Sequence, residues 1–94
     1  MEKGRVHLVI RGSVQGVFFR ASTREKAVSL GLKGWVRNLQ DGSVEAVFEG
    51  DIENLREAVQ WCSIGPPGAH VIKIDEKWND YIGEFSSFAV KYSY

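Results

Sequence analysis

Residues 5–20 read RVHLVIRGSVQGVFFR, and within them a strand pattern gives way to a helical one. Up to residue 11 the apolar side chains alternate, which indicates a strand with one face in the core. The inward positions are Val6, Leu8 and Ile10. From Phe19 onward, small and apolar residues recur at helical spacing. The stretch therefore predicts a strand over 5–11, a glycine-containing loop over 12–17 and a helix over about 20–30.

The same two patterns continue along the rest of the chain. Asp41-Gly42 is a strong hairpin signal, and Asp51 is a suitable N-cap for a second helix, which ends before Gly65. The other predicted elements are strands over 32–39, 43–49 and about 70–77 (apolar at Ile72 and Ile74), a loop over 78–85 and a short strand through Phe88, Val90 and Tyr92. This order predicts an α+β, ferredoxin-like split β-α-β sandwich. In it, two helices cover one face of an antiparallel sheet of four strands plus a short C-terminal strand.

The composition fits a single small domain over residues 1–94. Apolar residues make up 44% of the chain and charged residues 26%, which is ordinary for a soluble globular protein. The chain has 12 Lys and Arg against 12 Asp and Glu, so it lacks the surplus of cations that non-specific nucleic-acid binding requires. No apolar run approaches the ~20 residues of a membrane span. We therefore expect a cytoplasmic protein that binds neither nucleic acid nor membrane.

The single cysteine, Cys62, cannot form an internal disulfide. Spacings typical of Cys/His zinc sites are absent, so we expect no metal site. Cys62 falls on the apolar stripe of the second predicted helix, together with Ile52, Leu55 and Val59. The apolar stripe predicts a core position for Cys62. The lack of an internal disulfide indicates a reducing compartment.

The loop over residues 12–20 is the first candidate site. It leads from the carboxyl end of the first strand into the amino end of the first helix, where backbone N–H groups are unsatisfied and carry partial positive charge. Gly12 and Gly16 allow successive N–H groups to turn inward as an anion-binding nest. The alternative is an ordinary turn that needs glycine only for its positive φ.

Arg20 and Asn38 are further candidates. Arg20 lies in the first turn of the predicted helix, where a cation opposes the helix dipole. A phosphate bound by the guanidinium would explain this unfavourable position. The alternative is a solvated arginine. In the predicted topology the first two strands are parallel on either side of the third, so their carboxyl ends share one edge roughly 9–10 Å apart. Asn38 can meet Arg20 across this gap; the alternative is that Asn38 only begins the hairpin turn.

Three motifs together resemble the acylphosphatase family over about residues 5–94. They are Gly12-x-Val14-Gln15-Gly16-Val17-x-Phe19-Arg20, Gly31-Leu32-x-Gly34-Trp35-Val36-Arg37-Asn38, and Asp41-Gly42-Ser43-Val44-Glu45 followed by Gly50. The first two motifs at this separation are highly specific, and Gly65-Pro66-Pro67 also recurs in the family. Many members carry arginine where this chain has Ser13. That side chain is not a catalytic group in the family, so we expect little effect on activity.

The resemblance implies a small cytosolic monomer that hydrolyses acyl phosphates to a carboxylate and inorganic phosphate, without metal or cofactor. It implies that Arg20 and backbone N–H groups of the loop bind the phosphate, while Asn38 orients the attacking water. The phosphate-binding residues are then Val14, Gln15, Gly16, Val17, Phe18, Phe19 and Arg20. The implied partners are an acyl phosphate as substrate and inorganic phosphate as product and competitive inhibitor.

Three other functions of this fold are alternatives to an acylphosphatase. A non-catalytic phosphate- or acyl-phosphate-binding module is the main alternative, because acylphosphatase-like domains also occur within larger hydrogenase-maturation proteins. An RNA-binding domain needs exposed aromatic residues on the central strands and a basic face, whereas Phe48 is predicted to face inward. A metallochaperone needs a pair of thiolates, which one cysteine cannot supply.

Overall fold

Over residues 2–92, five strands and two helices follow one another in the predicted order. The computed structural model describes residues 2–92. Its elements are β1 (Lys3–Ser13), α1 (Phe19–Ser29), β2 (Lys33–Asn38), β3 (Val44–Asp51), α2 (Ile52–Cys62), β4 (His70–Asn79) and β5 (Phe88–Lys91). Met1, Ser93 and Tyr94, at the ends of the predicted domain, lie outside the described residues. Within residues 2–92, neither helix has the length and apolar character needed to cross a membrane.

The strand order β4-β1-β3-β2-β5 brings three strand ends to one edge of the sheet. β1 and β2 each pair antiparallel with β3, which lies between them, so they run parallel to each other. β5 joins the outer side of β2 in the parallel direction. The carboxyl ends of β1, β2 and β5 therefore meet where the chain turns into α1. The ferredoxin-like α+β class is confirmed, and β5 makes the sheet mixed.

Both helices pack against one face of the sheet, and the core lies between the two layers. The predicted inward positions of β1 are fully buried. Phe48 of β3 is buried as predicted, and its ring stacks on that of Phe88 in β5 with 5.2 Å between the ring centroids. Such aromatic pairs add roughly 0.5–1.5 kcal/mol to the effect of area burial. This contact fastens the short edge strand β5 to the sheet.

Cys62 occupies the predicted core position on α2. Its side chain is fully buried, and removal from water raises the pKa of the thiol to about 12. A thiol with such a pKa stays protonated at neutral pH and is a poor nucleophile. Cys62 is therefore a packing residue.

β4 differs from the predicted pattern at two places. It extends to Asn79, so the prediction of a loop over 78–85 is wrong for its first two residues. Ile72, predicted as an apolar position of the strand, is 75% exposed. The register with β1 shifts between Arg11 and Gly12, and Ile72 is the extra residue of the resulting β-bulge. A bulge inserts one residue without a partner, so strict alternation fails there.

Glu49 fastens the loop between β4 and β5 to the face of the sheet that the helices leave open. Its carboxylate accepts hydrogen bonds from the backbone N–H groups of Ile82 (2.9 Å) and Gly83 (3.2 Å) and from Arg5 Nη1 (3.2 Å). Glu49 is 2% exposed. Burial raises the pKa of this carboxyl, but the two N–H groups and Arg5 outweigh that effect and hold the pKa below its ordinary value. Folding therefore favours the ionised carboxylate.

Glu49→Gln is expected to lower the free energy of unfolding by about 2 kcal/mol at pH 7, because hydrogen bonds to a buried charged group are weakened. Since the pKa of Glu49 is depressed in the folded state, its stabilisation is present above the unfolded pKa of about 4.3. That stabilisation is lost as the pH falls through the folded-state pKa. Urea unfolding at pH 7 and pH 3 measures both effects, and the wild-type chain should lose more stability on acidification than Glu49→Gln.

Glu84→Gln is the matched control for this prediction. Glu84 also pairs with Arg5, at 2.6 Å, but its side chain is 47% exposed. Exposed ion pairs contribute under about 1 kcal/mol. Equal losses of stability in the Glu49 and Glu84 variants would contradict the anchoring role of Glu49.

Candidate active site

A pocket of about 280 Å³ lies at the sheet edge where β1, β2 and β5 end and α1 begins. Arg20 and Asn38 both line this pocket, as their positions in the sequence predict. The predicted phosphate-binding residues in its lining are Val14, Gly16, Phe18, Phe19 and Arg20. Gln15 and Val17 do not belong to the lining. No His, Cys, Asp or Glu among residues 2–92 contributes to it.

The loop on one side of the pocket alternates between negative and positive φ. Gly16 has a φ of 77° and Phe18 a φ of 61°, whereas Gln15 and Val17 keep negative φ. Alternating right- and left-handed backbone turns successive N–H groups toward one side, which is the geometry of an anion-binding nest. Within residues 2–92, none of the backbone N–H groups from Gln15 to Arg20 donates a hydrogen bond to another residue. The loop thus offers a row of open donors.

α1 begins without the groups that ordinarily satisfy a helix N-terminus. Its N-cap is Phe18, which makes no capping hydrogen bond, and its first turn contains no acidic residue. Among residues 2–92, Phe18 is the one non-glycine residue with positive φ, a conformation that costs roughly 1–2 kcal/mol. A bound anion would satisfy the open N–H groups of this turn.

Arg20 is held against β5. Its Nη1 donates a hydrogen bond to the backbone carbonyl of Lys91 (3.2 Å), and its Cζ lies 4.7 Å from the centre of the Tyr92 ring. No carboxylate among residues 2–92 lies within 4 Å of a nitrogen of Arg20. The guanidinium is therefore oriented by neutral groups and keeps its positive charge available to an anion.

Asn38 is the last residue of β2 and pairs with Val44 of β3. The hairpin that follows is closed by the bond from Leu39 N to Ser43 O (2.8 Å) and by Asp41, which accepts from Ser43 N (2.9 Å). The Asn38 side chain makes no hydrogen bond within residues 2–92. Since the turn does not use this amide, the amide is free to act in the pocket.

A protein-family model described as Acylphosphatase matches residues 6–90. The chain belongs to the acylphosphatase family. It is 50% identical to the acylphosphatase of Pelotomaculum thermopropionicum over 92 residues, which cover 98% of this chain and 100% of that protein. Its fold is similar to the structure of an acylphosphatase from Coxiella burnetii, with a TM-score of 0.90 and 38% identity over 96% of this chain and 94% of that one. It is also similar to T. kodakarensis HypF, with a TM-score of 0.82 and 31% identity over 98% of this chain and 12% of that one.

Family membership confirms the prediction that the chain is an acylphosphatase, a hydrolase that acts on acid anhydrides. The pocket also contains three residues that the sequence does not indicate as site residues, namely Ala21, Val90 and Tyr92. The alternation through Phe88, Val90 and Tyr92 predicts a strand but does not show which strand of the sheet it pairs with. Only the parallel pairing with β2 brings the end of β5 beside Arg20.

The side chain of Gln15 binds the hairpin between β2 and β3. Gln15 Nε2 donates hydrogen bonds to the carbonyls of Leu39 (2.8 Å) and Ser43 (2.9 Å). These two carbonyls belong to the hairpin that follows Asn38. The side chain therefore ties the loop with the open N–H groups to the end of the strand that carries Asn38, and it sets their separation.

Gln15→Ala is expected to weaken inorganic phosphate binding by roughly tenfold, because the loop loses its tie to the hairpin and its N–H groups become less ordered. Titration calorimetry with inorganic phosphate measures the change. Gln60→Ala, which alters an exposed glutamine of α2, is the control and should bind phosphate like the wild-type chain. An affinity for phosphate that is unchanged in Gln15→Ala would show that the tie does not order the loop.

A second group of charged side chains on the open face of the sheet consists of His7, Arg37 and Glu45. His7 Nε2 lies 2.7 Å from Glu45, and Arg37 Nε donates to the same carboxylate at 2.6 Å. Burial raises the pKa of Glu45, but the hydrogen bonds from His7 and Arg37 outweigh it and lower the pKa. Among residues 2–92, no three His, Cys, Asp or Glu side chains lie close enough together to hold a metal ion. His7 thus belongs to an ion network on the sheet surface.

Proposed function

We propose that this acylphosphatase hydrolyses acyl phosphates in the pocket between the loop, β2 and β5, with Arg20 and Asn38 in distinct roles. One observation carries the proposal. Judged on residues 2–92, the pocket combines an arginine without a carboxylate partner, a row of open backbone N–H groups and an amide without a hydrogen-bond partner. A doubly charged phosphoryl group and an attacking water need these three features.

Arg20 and the backbone N–H groups from Gln15 to Arg20 bind the phosphate oxygens. The guanidinium can form two parallel hydrogen bonds to a phosphate, and such charge-assisted bonds are about twice as strong as neutral ones. Phosphoryl transfer passes through a loose transition state in which charge spreads over the three equatorial oxygens. Donors fixed around those oxygens stabilise that charge without having to reorganise.

The leaving group explains why the pocket needs no general acid. Hydrolysis breaks the bond between phosphorus and the bridging oxygen of R-CO-O-PO₃²⁻, and the electron pair leaves with the carboxylate. The conjugate acid of that carboxylate has a pKa of about 4, so the leaving group departs without a proton. A phosphate monoester would expel an alkoxide and would require an acid.

Asn38 positions the water that attacks phosphorus. Its amide oxygen accepts a hydrogen bond from the water and holds it in line with the leaving oxygen. An amide is not a base at neutral pH, so the proton of the water passes to an oxygen of the substrate's own phosphoryl group. The products are then a carboxylate and inorganic phosphate.

The same proposal includes the finer properties that the resemblance implies. We expect catalysis without a metal or cofactor, and competitive inhibition by inorganic phosphate, since the product keeps the group that Arg20 binds. We also expect residues 1–94 to act as one cytoplasmic monomer.

Hydrolysis of benzoyl phosphate, followed by absorbance in the presence of EDTA and of increasing inorganic phosphate, tests the proposal. The expected result is turnover that EDTA leaves unchanged and that phosphate inhibits competitively. Loss of turnover in EDTA, restored by a divalent cation, would contradict the metal-free mechanism. A folded chain that binds phosphate but does not hydrolyse the substrate would instead support the binding module.

A further inference from the structure

A groove of about 660 Å³ runs between α1 and β5. It adjoins the pocket that contains Arg20 and Asn38, here called the phosphate pocket. We call it the acyl groove. Its lining consists of Ala21, Arg24, Glu25, Val28, Val90 and Tyr92. Three of these residues, Ala21, Val90 and Tyr92, also line the phosphate pocket. The groove is thus a continuation of the pocket that contains Arg20 and Asn38.

The side chains along the acyl groove suit an apolar group that is attached to an anion. Tyr92 is 80% exposed beside the Arg20 guanidinium, and Val28 is 60% exposed farther along α1, so apolar surface faces solvent from the pocket outward. An acyl phosphate has the same division, since its charge is on the phosphoryl end and its apolar part is on the acyl end. Ala21 and Val28 are two turns apart on α1, which gives the groove a length of about 10 Å beyond the pocket.

The charges of the acyl groove favour an uncharged acyl chain. Arg24 and Glu25 both line the groove, and their charges are opposite. Arg24 Nε donates to the backbone carbonyl of Phe88 (3.3 Å), so its guanidinium is tied to β5. The groove therefore offers no net charge to a second phosphate or carboxylate.

We propose that the acyl groove binds the acyl chain of the substrate and that Val28 is a specificity-determining residue for chain length. The inference rests on the proposed function, because it assigns the groove to the acyl end of the molecule whose phosphate occupies the pocket. An apolar acyl chain in the groove would cover Ala21, Val28 and one side of Tyr92. Longer chains then bind more tightly until they reach Val28.

Two series of compounds test this proposal. The first is methyl-, butyl- and octylphosphonate, which carry the anion and the chain but cannot be hydrolysed, and their affinities are measured by titration calorimetry. The second is acetyl, butyryl and octanoyl phosphate, for which kcat/KM is measured. A fully buried methylene strengthens binding about fourfold, and in a half-open groove we expect about twofold per methylene, or roughly a hundredfold from methyl- to octylphosphonate.

Substitutions of Val28 test the residue itself. Val28→Ser is expected to lower the ratio of octyl- to methylphosphonate affinity about threefold, and Val28→Phe to raise it. Ile64→Ser is the matched control, because Ile64 is an aliphatic residue that is 70% exposed and lies outside the groove. It should keep the wild-type ratio.

The outcomes separate failure of the acyl groove from failure of the proposed function. Affinities that do not depend on chain length, or equal ratios in Val28→Ser and Ile64→Ser, would overturn the groove even if all three acyl phosphates are hydrolysed. Affinity that rises with chain length and falls in Val28→Ser, without hydrolysis of any acyl phosphate, would support the groove and overturn the proposed function.

Discussion

Arg20→Ala is expected to lower kcat/KM for benzoyl phosphate by about a thousandfold and to weaken inorganic phosphate binding by about a hundredfold. The guanidinium is the one cation that lines the pocket among residues 2–92, and no carboxylate neutralises it. Removing a charged donor from a phosphoryl-transfer site lowers the rate by a factor of roughly 10² to 10⁵. Because phosphate is bound in both the substrate and the product, affinity and turnover should fall together.

Arg20→Lys should recover little of this loss. Lysine keeps the positive charge but cannot form the planar fork that binds two phosphate oxygens. In Arg20 the Lys91 carbonyl and the Tyr92 ring orient this fork, whereas a lysine ammonium has no fixed plane to be oriented. Recovery of more than about a tenth of the wild-type kcat/KM by Arg20→Lys would show that the pocket needs only a point charge.

The fold should survive both substitutions of Arg20. A cation in the first turn of α1 opposes the helix dipole, so its removal should leave the free energy of unfolding within about 0.5 kcal/mol or raise it slightly. Arg56→Ala, on the other helix, is the control for loss of a surface arginine and should keep wild-type activity. Circular dichroism and urea unfolding separate loss of function from loss of structure. An Arg20→Ala chain that is folded and fully active would remove Arg20 from the site.

The order of the elements could be predicted from the sequence because each element shows its own periodicity. Burial on one side of β1 requires alternation, and the packing of α1 on the sheet requires helical spacing, so both patterns are visible without the fold. The bulge at Ile72 could not be predicted, because an extra residue is defined only against its partner strand. The same holds for β5, whose direction depends on pairing with β2.

The positions of Arg20 and Asn38 in the candidate site could also be predicted, because they follow from the order of the elements. The parallel relation of β1 and β2 follows from the β-α-β-β order, and it brings Arg20 and Asn38 to one edge. The positive φ of Phe18 has no signal of its own, because only the neighbouring Gly16 indicates an unusual backbone. The bonds of Gln15 to the Leu39 and Ser43 carbonyls are equally hidden, since a glutamine in a loop usually points to solvent.

Asn38→Ala is expected to lower kcat about a hundredfold while inorganic phosphate binds within about twofold of its wild-type affinity. The amide makes no hydrogen bond to another residue within 2–92 and lines the pocket beside Arg20. Loss of its oxygen leaves the water unpositioned, and a misplaced reactant costs about a hundredfold in rate. Steady-state kinetics with benzoyl phosphate and calorimetry with inorganic phosphate measure the two quantities. Asn79→Ala, at the end of β4, is the control for loss of an asparagine at a strand end and should behave as the wild-type chain.

Asn38→Asp separates positioning of water from binding of phosphate. A carboxylate still accepts a hydrogen bond from water, but its charge repels the phosphate, so this variant should bind phosphate more weakly than Asn38→Ala does. If Asn38 instead bound phosphate through its Nδ2 donor, both variants would lose phosphate affinity, and Asn38→Ala would show a raised KM with little change in kcat. A hundredfold loss of kcat in Asn38→Ala with unchanged phosphate affinity would show that Asn38 acts in the transition state and not in ground-state binding of the phosphoryl group, as positioning of the attacking water requires.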